Sequence, residues 1–314
     1  LREMAFMPID GERVISSRQA LTLAKLPETM IVVGSGAIGS EFAWFYAALG
    51  VKVTVVEYMP RMMPLEDEEV SKTMERAFRK LRAAVLTSTT VKSVRVNAEG
   101  RCEVEIEGKK GAETLTADIV LSAVGIKSNI ENIGLEELGV AVERDKVVVD
   151  QFYRTNVPGV YAIGDIVGGP ALAHVASAEG ICCVEAICGL NPAPVDYSTI
   201  PSCVFTSPEV ASVGMTEQQA QERGIAYKTG RFPFTASGKA TAAGDRDGFV
   251  KLLFGEDDTL LGAHMVGMNV TEMIAEPTLA RMLGATGHRI ARTIHAHPTM
   301  NEGVMEAAAA VPER

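Results

Sequence analysis

The chain has 314 residues, of which 47% are hydrophobic and 22% charged, and its formal net charge is −10. This length favours two or three domains over a single core, and an acidic chain without a stripe of Lys and Arg argues against a nucleic-acid partner. No apolar run reaches the ~20 residues of a membrane span, and the opening residues LREMAFMPID lack the basic start and apolar stretch of a secretory signal.

The cysteines indicate a reducing compartment. They are Cys102, Cys182, Cys183, Cys188 and Cys203. An odd and scattered set in a chain of this length is not typical of a secreted disulfide framework, so the cytoplasm is the expected location. The 14 methionines are expected to fill gaps in the core, and no metal site is expected.

Residues 1–125 predict an α/β, Rossmann-like domain. An entry segment, residues 1–28, precedes a buried strand (MIVV), a helix that ends at Gly50 (AIGSEFAWFYAALG) and a second strand rich in β-branched residues (KVTVVE). The helix EEVSKTMERAFRKL follows. The strands VKSVRVN, RCEVEIEG and DIVLSAVG then predict a small antiparallel insertion and a return to the main sheet.

Two further blocks follow. Residues 126–197 contain a short apolar strand, tight glycines and a long helix of small residues, and predict a central domain. After the Pro- and Ser-rich connection around residue 197, residues 198–314 predict an α+β domain in which short strands alternate with helices. Within it, His264 is expected to pack at an edge of the sheet.

A glycine turn in the first block indicates a dinucleotide site. GSGAIGSEFA matches G-x-G-x-x-G at Gly34, Gly36 and Gly39, directly after a predicted strand and at the start of a predicted helix. Glu57 ends the next predicted strand. Its carboxylate can accept hydrogen bonds from a ribose 2′-hydroxyl and would repel a 2′-phosphate, so the pattern favours NAD over NADP. The alternative is a βαβ turn that binds no ligand.

A second glycine turn lies in VYAIGDIVGGPALAH. Asp165 follows a predicted strand inside this turn, where its carboxylate could accept hydrogen bonds from a polyol. The N–H groups after Gly168 and Gly169 could approach a phosphate or a ring. From the residues alone, an ordinary acidic turn is an equal alternative, and His174 is expected to be a packing residue rather than a catalyst.

The segment HAHPTMNE, residues 295–302, offers a candidate proton-transfer pair. A neutral imidazole at His297 can take a proton, and a carboxylate at Glu302 can fix its tautomer and stabilise the imidazolium. With a helix beginning near Thr299, Glu302 would lie in the first turn and face back toward His297. The His297–Pro298 bond is a candidate for a cis peptide. A purely structural histidine beside a helix start is the alternative.

These four motifs, GSGAIGSE, VYAIGD, GPALAH and HAHPTMNE, occur in an order and spacing that resembles the pyridine nucleotide-disulfide oxidoreductases over essentially the whole chain. The resemblance implies an NAD domain, a central domain that completes an FAD site, and a dimer-interface domain. It implies that NAD contacts Gly34, Ser35, Gly36, Ala37, Ile38, Gly39, Glu41, Glu57, Val91 and Gly125. It implies that FAD contacts Asp165, Ala171, Leu172, Ala173 and His174.

The sequence departs from the family pattern in three places. Ile126 occupies the position where the family usually has an arginine, Ser128 the position of a proline, and Ala171 that of a bulkier residue such as Met. The first two differences weaken the expected nucleotide contacts of that loop.

The family also implies a preceding flavin domain with its own glycine motif and a redox pair C-x-x-x-x-C, and we expect this portion to be missing here. Cys183 and Cys188 have the same spacing, but they lie in a predicted helix, where positions five apart diverge by about 140°. We expect them to be structural thiols that do not form the redox disulfide.

Within the family, the pattern is most similar to enzymes that oxidise protein-bound dihydrolipoamide with NAD⁺. That resemblance implies that His297 is the acid/base, that Glu302 orients it and that His295 supports the pair. It also implies a homodimer and, as partner, the lipoyl domain of a 2-oxoacid dehydrogenase or glycine cleavage complex. We expect this chain alone to be inactive. The alternatives are an NADPH-dependent disulfide reductase of the glutathione or mercuric type and a non-catalytic dimeric NAD-binding module.

Overall fold

A computed structural model describes residues 2–311 of the chain. They form two compact units, one built from residues 3–124 with 201–311 and the other from residue 2 with 125–200. This division into two units does not test the three predicted domains. The predicted limits at residues 125 and 197 therefore stay predictions. No helix in the described part of the chain is long and apolar enough to cross a membrane.

Strands supply most of the regular structure. In chain order they are β1 (Val14–Ile15), β2 (Thr29–Val33), β3 (Lys52–Val56), β4 (Ala84–Leu86), β5 (Thr90–Val96), β6 (Cys102–Gly108), β7 (Gly111–Ala117), β8 (Ile119–Ser122), β9 (Val142–Glu143), β10 (Lys146–Val147), β11 (Pro201–Val204), β12 (Glu209–Gly214), β13 (Tyr227–Pro233), β14 (Phe249–Gly255) and β15 (Leu260–Gly267).

The α-helices flank these strands. They are α1 (Ser17–Ala20), α2 (Ala37–Ala48), α3 (Glu68–Lys80), α4 (Ala173–Ile187), α5 (Glu217–Glu222), α6 (Gly238–Ala243), α7 (Val270–Met273), α8 (Ala275–Met282), α9 (Gly287–Ala291) and α10 (Glu302–Ala309). Single 3₁₀ turns span Gly164–Ile166, Tyr197–Thr199 and Phe234–Ala236.

The larger unit contains the expected Rossmann-like sheet. Its five parallel strands lie in the order β1-β8-β2-β3-β4, and the antiparallel sheet β5-β6-β7 is inserted between β4 and β8. Four of the five residues of β2 are buried, as expected for a strand covered on both faces. Because β2 and β3 are adjacent and parallel, their carboxyl ends bring the glycine turn and Glu57 to the same edge.

The second sheet of this unit is antiparallel, in the order β11-β12-β15-β14-β13. Every residue of β14 is buried, and α10 lies so close to β13 that a Cβ at Gly230 would stand 1.9 Å from the Ala307 carbonyl oxygen. The expectation that His264 lies at a sheet edge is wrong. His264 is on the central strand β15, is buried, and bonds through Nε2 to the Met215 carbonyl oxygen at 2.9 Å.

The two sheets of the larger unit meet in a shared hydrophobic cluster. Val210, Phe249 and Val266 of the antiparallel sheet pack in the same buried cluster as Met62 and Met74, which belong to the part of the unit that contains the parallel sheet. Each such side chain contributes about 1.5–3 kcal/mol when fully buried. The shared cluster therefore joins the first and last blocks of the sequence into one body.

Glu66 is a buried acid in this unit. One carboxylate oxygen, Oε2, has no hydrogen-bond partner in the described residues. The pKa of Glu66 is raised, mainly because the carboxyl group is buried. The charge of Asp67 also raises this pKa, whereas a hydrogen bond with Ser212 lowers it. A raised folded-state pKa means that Glu66 favours folding at low pH and that this contribution is lost as pH rises.

We therefore expect Glu66→Gln to stabilise the fold near neutral pH, because the amide needs no buried charge. The melting temperature should rise by about 2–4 °C for each kcal/mol recovered, and the difference from wild type should shrink near pH 4.5. Thermal unfolding of both proteins at pH 7.5 and pH 4.5 measures this. Equal melting temperatures at pH 7.5 would contradict the prediction.

The smaller unit is built around α4. The strands β9 and β10 form an antiparallel pair, and a small core contains Tyr153, Cys182 and Cys183. The turn that carries Asp165 is the 3₁₀ turn Gly164–Ile166, and the segment that follows it leads into α4. The fold class expected from the sequence is thus confirmed. The structure combines a Rossmann-like parallel α/β sheet with an antiparallel α+β part, and a smaller part is built around α4.

Candidate functional site

The glycine turn between β2 and α2 has two glycines that the fold requires and one that leaves space. Gly34 has φ = 98°, and a Cβ there would lie 2.5 Å from the Ala123 carbonyl oxygen. A Cβ at Gly39 would lie 2.0 Å from the Gly34 carbonyl oxygen. At Gly36, the first residue before α2, an added Cβ would meet no atom within 4 Å. This open backbone at a helix N-terminus fits a pyrophosphate.

Glu57 is buried beside this turn and is bonded to it. Its Oε2 accepts hydrogen bonds from the backbone N–H and the hydroxyl of Ser35, both at 2.8 Å. Its Oε1 accepts from the Met59 N–H at 2.7 Å. The carboxylate therefore holds the turn in shape in addition to placing an acid next to it.

The other residues expected at NAD have different surroundings. Ala37 and Ile38 are exposed at the start of α2. Glu41 Oε1 accepts the Phe205 N–H at 2.8 Å, so this carboxylate is bonded to the chain that follows β11. Val91 is buried in β5. Gly125 has φ = 113° and opens the smaller unit.

In the smaller unit, the Asp165 turn is held by its backbone and leaves its carboxylate exposed. The Asp165 carbonyl oxygen accepts hydrogen bonds from the Ser128 hydroxyl at 3.0 Å and from Lys146 Nζ at 2.6 Å. The Asp165 residue is exposed, and an added Cβ at Gly168 would meet no atom within 4 Å. An exposed acid beside an open backbone turn fits the polyol and phosphate parts of a flavin nucleotide.

The residues expected beside Asp165 lead directly into α4. Ala171 and Leu172 are partly buried, Leu172 is the residue before the helix, and Ala173 and His174 are exposed in its first turn. No side chain caps this helix start. The N-terminus of this helix contributes the partial positive charge of the helix dipole beside the Asp165 turn.

His297 and Glu302 form the hydrogen-bonded pair that the sequence predicts. His297 Nδ1 lies 2.8 Å from Glu302 Oε1, and Glu302 is the first residue of α10. The side chain of His297 is 77% exposed, and Nε2 has no hydrogen-bond partner within residues 2–311. The His297–Pro298 bond is cis. Because Nδ1 faces a carboxylate, the neutral ring carries its proton on Nδ1 and presents Nε2 as an acceptor.

Glu302 is kept ionised by its surroundings. Its Oε2 accepts the Thr299 N–H at 2.8 Å. This backbone hydrogen bond, together with the one to His297, holds the pKa of Glu302 below its ordinary value. The pair thus combines an exposed base with a fixed negative charge behind it.

His295 is held in place instead of being presented to solvent. Its side chain is 6% exposed, Nδ1 lies 2.9 Å from the Thr293 carbonyl oxygen and Nε2 lies 2.8 Å from Glu276 Oε1. The second oxygen of Glu276 accepts from Asn301 at 2.9 Å. With both ring nitrogens occupied, His295 packs the segment that carries His297.

Comparison with known proteins assigns the chain to a family. Residues 3–180 match the model described as "Pyridine nucleotide-disulphide oxidoreductase", and residues 200–308 match the dimerisation domain of the same family. The chain belongs to the pyridine nucleotide-disulphide oxidoreductases. The resemblance seen in the sequence is confirmed.

Similar curated proteins are dihydrolipoyl dehydrogenases. The protein from Chlorobaculum tepidum is 47% identical over 95% of this chain and 64% of its own length. The protein from Bacillus subtilis is 43% identical over 98% of this chain and 66% of its own length. The chain therefore spans about two thirds of the length of these relatives.

Solved structures agree with this assignment. LpdA from Mycobacterium tuberculosis superposes with a TM-score of 0.90 at 30% identity, over 98% of this chain and 67% of its own. The HOCl-induced flavoprotein disulfide reductase RclA from Escherichia coli superposes with a TM-score of 0.88 at 25% identity, over 98% and 71%.

Two residues of this oxidoreductase chain were missed by the sequence reasoning. Glu179 of α4 is buried, with Oε2 accepting the Gly164 N–H at 2.6 Å and Oε1 accepting the Tyr197 hydroxyl at 2.5 Å, so it fixes the turn that carries Asp165. Lys146 supports the same turn from β10. An acid among the small residues of VASAEGICC was the available signal for Glu179, whereas nothing in the sequence around Lys146 distinguished it.

All five cysteines of this chain are free thiols. Cys183 is buried and Cys188 is exposed at the end of α4, as their separation along a helix requires. Burial raises the pKa of the Cys183 thiol, and the neighbouring Cys182 adds to this effect. A thiol with a raised pKa is a poor nucleophile at neutral pH, which fits a structural role.

Proposed function

We propose that this chain forms the NAD-binding, flavin-contacting and dimerisation parts of a dihydrolipoyl dehydrogenase. The reaction would oxidise protein-bound dihydrolipoamide to lipoamide and reduce NAD⁺ to NADH. The observation that carries the proposal is the hydrogen-bonded pair of His297 and Glu302, with an exposed Nε2 at 77% side-chain exposure. The names of the relatives support the same assignment.

In this proposal His297 receives the thiol proton. A dihydrolipoamide S–H would transfer its proton to Nε2, which leaves a thiolate able to attack a disulfide. Glu302, ionised and 2.8 Å from Nδ1, would stabilise the resulting imidazolium. His295 would hold the segment in position without exchanging protons with the substrate.

The cofactor-binding residues are proposed from the same geometry. The open backbone at Gly36 would receive the pyrophosphate of NAD, and Glu57 at the end of β3 favours NAD over NADP. A bound flavin would supply the electron transfer between a disulfide and NAD⁺, and Asp165 with the start of α4 would contact it. We also propose a homodimer formed through residues 200–308, and a lipoyl domain of a 2-oxoacid dehydrogenase or glycine cleavage complex as partner.

Nucleotide binding tests the proposal on the chain itself. Titration of the purified 314-residue protein with NADH and NADPH should give tighter binding of NADH. Preference for NADPH would favour a disulfide reductase of the glutathione or mercuric type. Absence of binding to both nucleotides would overturn the assignment of the glycine turn.

The expectation that this chain alone does not oxidise dihydrolipoamide stays a prediction. It rests on the five free thiols, because none of them forms a disulfide that could accept electrons. A dithiol-dependent assay of NADH formation on the purified chain, with its flavin content measured from the absorption spectrum, provides the test. Robust turnover would contradict it.

A further inference from the structure

Lys251 is a buried cation on the antiparallel sheet. Its side chain is 6% exposed, and Nζ lies 3.0 and 3.1 Å from the two oxygens of Asp67 and 2.5 Å from Glu217 Oε2. Burial would lower the pKa of Lys251, but Glu217 and Asp67 outweigh it and raise the pKa above its ordinary value. Lys251 is therefore charged, and it joins β14 to the nucleotide-binding part of the same unit.

The other groups around this cation are consistent with a charged Lys251–Asp67 pair. Burial would raise the pKa of Asp67, but the neighbouring His264 and Lys251 and the Glu69 N–H lower it below its ordinary value. His264 is buried, and this burial lowers its pKa. Glu69 Oε2 lies farther away, 3.9 Å from Lys251 Nζ.

Asp67 connects Lys251 to helix α3. Its Oδ1 accepts the Glu69 N–H at 3.0 Å and so caps the helix N-terminus. A helix cap of this kind is worth about 1 kcal/mol. In the first turns of α3, the hydroxyl of Ser71 donates to the Met63 carbonyl oxygen at 3.3 Å.

Met63 connects the helix to the glycine turn. Its φ of 48° is a left-handed conformation that a residue with a side chain adopts only when its neighbours hold it there. The Met63 N–H donates to the Ser35 carbonyl oxygen at 3.1 Å and to its hydroxyl at 3.2 Å. Ser35 is also the residue that Glu57 binds. Hydrogen bonds and one helix turn thus run without interruption from Lys251 to the turn expected at the pyrophosphate.

We infer that Lys251, a residue of the dimerisation domain, is a positioning residue for NAD: through Asp67, α3 and Met63 it holds the glycine turn in its binding shape. This inference rests on the proposed function. Lys251 does not touch the nucleotide. It acts as a fixed support behind residues that do.

The test removes both charges of the fully buried pair and leaves Glu217, which is partly exposed and still accepts the Tyr227 hydroxyl at 2.9 Å. Replacing Lys251 alone would leave Asp67 as a buried charge without its cation, which destabilises strongly. In the double variant Lys251→Met with Asp67→Asn both charges disappear, and asparagine caps a helix as well as aspartate does. Lys80→Met is the matched control, because Lys80 joins α3 to Asp247 at 2.5 Å through an exposed pair that has no bond to the turn.

The measurement is the dissociation constant for NADH of each purified 314-residue protein, with thermal unfolding recorded alongside. We expect the double variant to bind NADH about tenfold more weakly than wild type, and Lys80→Met to bind as wild type does. If the double variant does not fold cooperatively, Asp67→Asn alone is the test, since Lys251 keeps Glu217 and the cap is retained. It too should bind NADH more weakly.

The outcomes separate the two claims. Wild-type affinity in a folded double variant, or in Asp67→Asn when that variant serves as the test, overturns the role of Lys251 and leaves the proposed function standing. A lower melting temperature with unchanged NADH affinity also overturns the role of Lys251, because the Lys251–Asp67 pair would then stabilise the fold without affecting nucleotide binding. Failure of the wild-type chain to bind NADH overturns the proposed function and this inference together.

Discussion

Replacing His297 with glutamine should lower dihydrolipoamide-dependent reduction of NAD⁺ by about 10²–10⁴-fold, the range typical of a lost general base. Nε2 of His297 is the exposed nitrogen of a ring whose Nδ1 is held 2.8 Å from Glu302, so no other group of the segment can replace it. His295 has both ring nitrogens occupied. The rate is to be measured on a preparation that contains bound flavin and oxidises dihydrolipoamide before the substitution is made.

Two controls identify the step that is lost. Oxidation of NADH by ferricyanide needs no thiol proton and should remain within about twofold of wild type if His297 acts only on the dithiol. Glu302→Gln should reduce the dithiol reaction less than His297→Gln does, because the base remains and only its orientation and charge support are weakened. An equal loss in the ferricyanide reaction would show that His297→Gln disturbs the fold, and unchanged dithiol turnover would remove His297 from the mechanism.

Gly36→Val should abolish most NAD binding while leaving the fold intact. The backbone at Gly36 is extended, at φ = −64° and ψ = −172°, and an added Cβ meets no atom within 4 Å, so the chain tolerates a side chain. The same side chain would occupy the space through which backbone N–H groups approach the pyrophosphate. We expect the dissociation constant for NADH to rise at least tenfold, or about 1.4 kcal/mol.

Gly39→Ala is the matched contrast for this prediction. Its Cβ would lie 2.0 Å from the Gly34 carbonyl oxygen, so the fold itself has to shift, at a cost of about 1–3 kcal/mol. Titration with NADH and thermal unfolding of both variants distinguish the two roles. Unchanged NADH affinity in a folded Gly36→Val protein would show that the nucleotide does not approach this turn.

The sequence by itself determined the local motifs and their order. The strand, glycine turn and helix around Gly34–Gly39, the Asp165 turn and the pairing of His297 with Glu302 could all be predicted, because each depends on residues close together in the chain. The spacing of Cys183 and Cys188 in one helix likewise showed that they could not bond. Family membership followed from the same short motifs.

Only the tertiary structure decided which distant residues support those motifs. Lys251 and Asp67 are 184 positions apart, and Glu41 and Phe205 are 164 apart. His264 was expected at a sheet edge and lies on the central strand, since strand order in the sheet is not strand order in the chain. A sequence pattern records which face of an element is apolar, but a buried ion pair is specified by the packing of elements that local periodicity cannot align.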